Sequence, residues 1–207
     1  MVLEHMRNPV ASGHLLSIVS SAKEAEKAIQ FLQAPYSLRF MEEAAHLIVS
    51  CFKAGGKILV AGNGGSLCDA LHCAEELTGL FRRPRDPLPA IALADPGHLT
   101  CVANDIGFDQ VFARSVKALG KPGDVLLLLT TSGNSENLIQ AARIAEEKEM
   151  FSVAFLGKSG GKLKGLCTLE WIVEGFSYSD RIQEAHMAAL HIIIEAVENL
   201  YFGSCAL

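Results

Sequence analysis

Four side chains in two apolar helical segments have the chemistry to move protons or to hold a cation. In "VAGNGGSLCDALHCAEELTG", residues 60–79, His72 and Glu76 stand four apart, so one helical turn puts both on one face. In "DRIQEAHMAALHIII", residues 180–194, Gln183 and His191 stand eight apart and again share a face. A carboxylate whose pKa is raised by partial burial can take the proton beside a carbonyl, while imidazole near neutrality passes protons between neighbouring oxygens. Interconverting an aldose and a ketose needs only that. The same His, Glu, Gln and His could equally hold zinc, since imidazole nitrogen and carboxylate oxygen are ordinary zinc ligands, although no regular H-E-x-x-H is present. Taken alone, a His–Glu pair on a helix is ordinarily a satisfied core bond or part of a solvated face. His186, off the Gln183–His191 row, reads as such a core group.

The surroundings of these helices favour the chemical reading. Residues 62–66 read Gly-Asn-Gly-Gly-Ser after one aliphatic run, and residues 130–135 read Thr-Thr-Ser-Gly-Asn-Ser after another. Each loop offers small residues, hydroxyls and backbone N–H groups at a helix N-terminus, where the macrodipole favours an anion. Either loop alone is also what a tight turn with an ordinary N-cap looks like, whereas two in one sheet suggest one phosphate cradle. A dinucleotide fingerprint starting at Gly62 would need glycine where Leu67 stands, and neither "GNGGSLCD" nor "GKSGGKLKG" supplies a P-loop. The anion is therefore expected on a small phosphorylated metabolite.

The elements that must position these groups follow from the periodicity. Helical spacing over 15–31 and 38–53 predicts two leading helices, the second stopped by Ala54-Gly55-Gly56. Thereafter the continuous apolar runs at 57–62, 90–94, 124–130, 151–157 and 169–174 predict strands buried on both faces, the mark of a parallel sheet between helix layers. Crossover helices are expected over 67–82, 108–119 and 135–149, with a last helix over 180–201. The expected fold is an α/β, three-layer αβα, flavodoxin-like domain whose ligands bind beyond the carboxyl ends of the strands.

Composition narrows the partners. Lys and Arg number 18 against 23 Asp and Glu, a net charge of −5, so no overall field draws the chain to nucleic acid or an anionic membrane. The six cysteines (Cys51, Cys68, Cys73, Cys101, Cys167 and Cys205) form no C-x-x-C pair and sit mostly in apolar segments, as free thiols in a reducing compartment do. The first residues mix charge with Pro9 and show no apolar run of secretory length, and no run approaches the ~20 residues of a spanning helix. A soluble, cytoplasmic protein without nucleic-acid or membrane partners is expected. The tail "ENLYFGSCAL" resembles part of a protease-recognition tag without its glutamine and is given no functional role.

Five motifs, "GNGGSLCDALHCAEELTG", "CVANDIGFD", "TTSGNSENLIQAA", "GKSGGKLKG" and "SYSDRIQEAHMAALHIII", in order from about residue 37 to 200, resemble the sugar isomerase (SIS) domain family. The resemblance implies a helical segment over 1–36 and the SIS domain over 37–207. It implies an aldose–ketose isomerase that converts sedoheptulose 7-phosphate to D-glycero-D-manno-heptose 7-phosphate for lipopolysaccharide heptose. By the family's pattern Glu76 and His191 act as base and acid, and His72 and Gln183 join them in a site that can hold one zinc per subunit, with no organic cofactor. Ser66, Thr130, Thr131, Ser132 and Ser135 would hold the phosphate, with Asn63, Asp105, Asp180 and Gln183 as further substrate contacts. The family assembles as a homotetramer with composite active sites. Leu67, Thr130 and Leu80 stand where the family often has His, Ser and Arg, and the absent arginine leaves Arg82 or Arg83 as candidates for one substrate contact. A reading from another class is a noncatalytic SIS tetramer, either an adaptor on the bacterial replication initiator or a sugar-phosphate sensor. That adaptor lacks the carboxylate matching Glu76 and the histidine matching His191, both of which stand in this chain.

Overall fold

A computed structural model describes residues 13–203, so the expectations for residues 1–12 and for the end of the tail, Cys205 among them, lie outside the described residues. In chain order the elements are α1 (Gly13–Gln30), α2 (Pro35–Lys53), β1 (Ile58–Gly62), α3 (Gly65–Thr78), β2 (Ala90–Ala92), α4 (Pro96–Asp105), α5 (Val111–Leu119), β3 (Val125–Leu129), α6 (Glu136–Glu147), β4 (Phe151–Gly157), β5 (Leu169–Val173) and α7 (Ser179–Phe202). The five strands pair in parallel in the order β2-β1-β3-β4-β5. This is the flavodoxin-like order, and its direction reverses between β1 and β3.

Period-two alternation along the strands splits the interior into two cores. Ile58, Val60, Val125, Leu127, Val153, Phe155 and Trp171 face α2, α3 and α7, where Ala28 and Leu32 from the first helical segment join them. Leu59, Ala61, Leu126, Leu128, Ala154 and Leu156 face the layer of α4, α5 and α6. Every residue of β1 and β3 is buried, which is why these strands read as unbroken apolar runs. Each such aliphatic side chain contributes on the order of 1.5–3 kcal/mol by leaving water.

The helix ends follow local chemistry. Pro35 opens α2 at a position where a missing N–H costs nothing. At its other end Gly55 takes a left-handed φ of +79°, and the amides of Gly55 and Gly56 bond the carbonyls of Phe52 and Cys51 at 3.0 and 2.9 Å. That Schellman turn is the expected stop. Between β2 and β3 the periodicity predicts one helix, over 108–119, and the structure has two. Asp95 caps the unanticipated α4 by accepting from His98 N at 2.6 Å, with Pro96 following it, and α5 starts only at Val111 after a 3-10 turn, Phe108–Gln110. The helix expected over 67–82 spans Gly65–Thr78 and stops at Gly79. The five described cysteines are free, and burial, with Glu76 nearby, pushes the Cys73 thiol up to about 12. Among the described residues no helix is long and apolar enough to cross a membrane.

His186 is buried against Phe155 and Trp171, and its Nε2 lies 3.0 Å from the carbonyl of Leu156. It is the core histidine that its place on the helix implied. Burial lowers its pKa to about 4, so between about 4 and 6.5 the unfolded chain binds a proton that the native one does not. Stability therefore rises with pH across that window and is lost as pH falls through it, by about 3 kcal/mol when complete. His186→Gln, which keeps a donor for Leu156, is expected to flatten the fall in melting temperature between pH 6.5 and 4.5, measured by circular dichroism.

Candidate active site

The two anion-type loops meet because β1 and β3 are neighbours. Gly62 pairs in register with Leu129, so residues 63–66 and 130–135 emerge side by side at the point where the strand order reverses. A reciprocal amide pair, Asn63 Nδ2 to Asn137 Oδ1 and Asn137 Nδ2 to Asn63 Oδ1, both 2.9 Å, ties the first loop to the start of α6. Thr131 Oγ1 lies 3.0 Å from Ser179 Oγ, which brings the second loop to the start of α7. The N-termini of α3, α6 and α7 therefore converge on one region, each adding the positive end of its dipole.

Close approach is built in with glycine. A Cβ on Gly65 would lie 2.6 Å from Gln183 Nε2, so a larger residue there would push the end of that flexible side chain away from the first turn of α3. A Cβ on Gly133 would meet the carbonyl oxygen of Gly160 at 1.8 Å, where the loop after β4 braces the loop after β3. Lys162 N donating to Asn134 Oδ1 and Leu163 N to Gly133 O complete that brace.

The hydroxyls of the two loops differ in their surroundings. Ser66 is buried at the start of α3, its Oγ accepting from Gln183 Nε2 at 3.4 Å. Thr130 is buried, and its Oγ1 accepts from Gly133 N at 3.1 Å, which shapes the loop from inside. Ser132 Oγ accepts from Asn134 N at 3.2 Å, and Ser135 occupies the N-cap of α6 without a side-chain cap bond. Two of the expected contacts bond neighbours in their own helices. Asp105, exposed at the end of α4, is bonded to Asn104 Nδ2 and Cys101 Sγ, and Asp180, exposed in the first turn of α7, is bonded to Arg181.

His72, Glu76 and His191 lie between α3 and α7, which pack side by side on one face of the sheet. Glu76 Oε1 lies 3.2 Å from His72 Nε2 and 3.3 Å from His191 Nε2. Its Oε2 is buried and has no hydrogen-bond partner. The Glu76 side chain is 10% exposed and that of His72 is 45%, so the carboxylate sits at the floor and the imidazoles line its open side. The two rings are 5.1 Å apart, edge to face, and Phe81 stacks on His191 at 5.9 Å. One ligand atom from each of His72, Glu76 and His191 can lie within 4.8 Å of the others, a group able to hold a metal ion. The donor set and the orphaned Oε2 fit a zinc-type ion.

Several groups at this site are not evident from the sequence. Asp69 stands one turn before His72 with a buried, unpartnered Oδ2, and burial raises its pKa against the opposing pull of His72. Its three-residue spacing from His72 is the one signal that could have found it. Phe81 and Asn137 carry no such signal, because their partners lie far along the chain. Arg82 and Arg83, the candidates for the absent arginine contact, point at α7, where Arg82 pairs with Glu195 and Arg83 donates to the Glu198 carbonyl, each at 2.5 Å.

Comparison with known proteins gives the family. Residues 11–157 match the family model described as the SIS domain. The phosphoheptose isomerase of Vibrio cholerae is 50% identical over 182 residues, covering 87% of this chain and 95% of the relative. That of Fusobacterium nucleatum is 47% identical over 188 residues, covering 90% and 96%. Among solved structures, a phosphoheptose isomerase from Francisella tularensis superposes with a TM-score of 0.85 at 37% identity, covering 91% of this chain and 100% of the other. One from Neisseria gonorrhoeae gives 0.80 at 37% identity, covering 88% and 97%. The sequence match over most of both partners, the shared fold and the convergent loops together make this chain a member of the SIS domain family, in the company of its phosphoheptose isomerases.

Proposed function

We propose that the chain interconverts sedoheptulose 7-phosphate and D-glycero-D-manno-heptose 7-phosphate, an aldose–ketose isomerisation that supplies the heptose of lipopolysaccharide. The observation that carries this reading is the Glu76 carboxylate, set between the Nε2 atoms of His72 and His191 at 3.2 and 3.3 Å with its second oxygen buried and unpaired. A carboxylate held in a partly buried seam beside two imidazoles has the chemistry to take the proton next to a carbonyl.

The phosphate of the open-chain sugar is bound by Ser66, Thr131, Ser132 and Ser135, with Thr130 shaping their loop and Asn63, Asp105, Asp180 and Gln183 as further substrate contacts. The carbon chain then runs along the α3–α7 groove. Glu76 removes a proton from C1 of the ketose, and His191 donates to the C2 carbonyl oxygen to give the enediol. His191 next takes the proton from the C1 hydroxyl as Glu76 returns one to C2, leaving the C1 aldehyde. Atoms and charge balance without an external reagent. His72, Glu76 and His191, with the Gln183 amide, would hold a zinc ion, which when bound supplies Lewis-acid polarisation of the carbonyl.

Incubation with sedoheptulose 7-phosphate followed by NMR is expected to show the aldose. Glu76→Gln keeps size and removes the basic oxygen, so turnover is expected to fall by roughly 100-fold or more. Solvent deuterium, which enters product C2 wherever the abstracted proton exchanges, should be lost with it. Near-normal turnover in Glu76→Gln would remove the base assignment, and a wild-type chain that yields no aldose would return the adaptor and sensor readings. Elemental analysis after zinc loading and desalting is expected to find about one equivalent per chain, lost in the His72→Asn, His191→Asn double variant. Metal that survives loss of both imidazoles sits elsewhere.

The enzyme is further proposed to be a homotetramer with composite sites. Leu16 and Ile18 on α1, Leu38 on α2, and Ile192 and Leu200 on α7 are exposed apolar side chains on the helices that cover one face of the sheet. Light scattering is expected to give four times the chain mass at micromolar concentration, and a monomer would sink the composite site.

A further inference from the structure

The last carbonyls of a helix lack intrahelical partners, and at the end of α3 those carbonyls are turned inward. Gly79 N bonds Glu75 O at 2.7 Å. The next two meet one side chain: Arg85 donates from one terminal nitrogen to Glu76 O at 2.6 Å and from the other to Leu77 O at 2.7 Å, where Leu88 N also donates at 2.9 Å. Its Nε donates to Glu198 Oε1 at 2.7 Å, and the two side chains are 2% and 3% exposed. Glu198 stands on α7 seven residues after His191, two turns along the same face. One planar group is thus bonded both to the backbone of the residue that carries the site carboxylate and to the helix that carries the site imidazole.

The neighbouring residues extend the same attachment. Arg83 donates to Glu198 O, Arg82 pairs with Glu195 one turn after His191, and Phe81 stacks on the His191 ring. A clasp serving stability alone would not need a desolvated charge, because apolar residues of similar volume often hold two helices as well or better. What the guanidinium adds is a rigid fork with fixed donor directions.

We propose that Arg85, held by Glu198, is a positioning residue that sets the spacing of α3 and α7 and with it the separation of Glu76 from His72 and His191. This rests on the reading of those three residues as the reacting and metal-holding group. Two variants test it. Arg85→Met with Glu198→Leu removes both charges and leaves neither unpaired, and Arg85→Lys keeps the ion pair with Glu198 but cannot reach all three acceptors from one ammonium. Each is read by melting temperature, by kcat and KM with sedoheptulose 7-phosphate, and by Co²⁺ titration of the protein alone, followed by visible absorption.

In protein that melts within a few degrees of the wild type, kcat and Co²⁺ affinity are expected to fall ~10-fold or more, the usual cost of losing an outer partner of such a site. KM is expected to move less than about twofold, since the phosphate loops are not touched. Folded variants that keep wild-type kcat and Co²⁺ affinity would overturn the proposal, whatever their melting temperature, and leave Arg85 a stabilising clasp. If the double variant does not fold, Arg85→Lys decides between the two by the same measurements. A wild-type protein that neither isomerises the sugar nor binds Co²⁺ would instead overturn the reading of the site itself.

Discussion

The arrangement turns on one carboxylate. Glu76 has one oxygen between two imidazole nitrogens and the other buried without a donor. A buried acceptor left unpaired costs about 1–3 kcal/mol, so the surrounding structure must hold it there against a strong preference for water. Ala70, Cys73 and Leu77 press α3 onto the sheet, and Ile182, Ala185, Ala189 and Ile193 do the same for α7. With both helices seated on one core, the Glu76 side chain has only the seam between them to occupy.

The seam lies where the sheet can use it. The connection after β1 steps to β2 on one side and that after β3 steps to β4 on the other, which leaves a gap between their loops at the carboxyl ends of β1 and β3. The hydroxyl-rich loops and the His–Glu–His group thus draw on different parts of the same helices: the first turn of α3 and of α7 faces the loops, and the middle of each faces its partner. A phosphate at one end and a carbonyl at the other is what a short phosphosugar presents.

How far this was legible depended on sequence distance. Strand and helix periodicity revealed the layers, and the four-residue spacing of His72 and Glu76 revealed their common face. Pairing across the fold left no such trace. Asn63 and Asn137 are 74 residues apart, and Arg85 and Glu198 are 113 apart. Arg85 stands in a loop that reads as merely charged and Pro-rich, while Glu198 opens a tail given no role, although α7 continues through it to Phe202 and Tyr201 packs on Phe52. The α4 helix was missed for a different reason. Its Asp-Pro start resembles a turn, and with Val102 its one buried residue it lacks the apolar stripe that marks α5, where Val111, Phe112, Ala113 and Val116 are buried.

The two histidines of α7 show how the fold assigns opposite duties to one residue type. His186 and His191 are five apart, about 140° around the helix, so they cannot share a face. His186 points into the aromatic core between Phe155 and Trp171, where burial holds it neutral down to about pH 4 and its Nε2 serves one backbone carbonyl. His191 points at α3, half-buried, with Phe81 on its ring and the Glu76 carboxylate at its nitrogen. A neutral ring sealed from water cannot exchange protons with a substrate. A ring at the mouth of a carboxylate-lined seam can, so it is the register of α7 on the sheet, more than the identity of either residue, that seals one histidine in the core and leaves the other open to the seam.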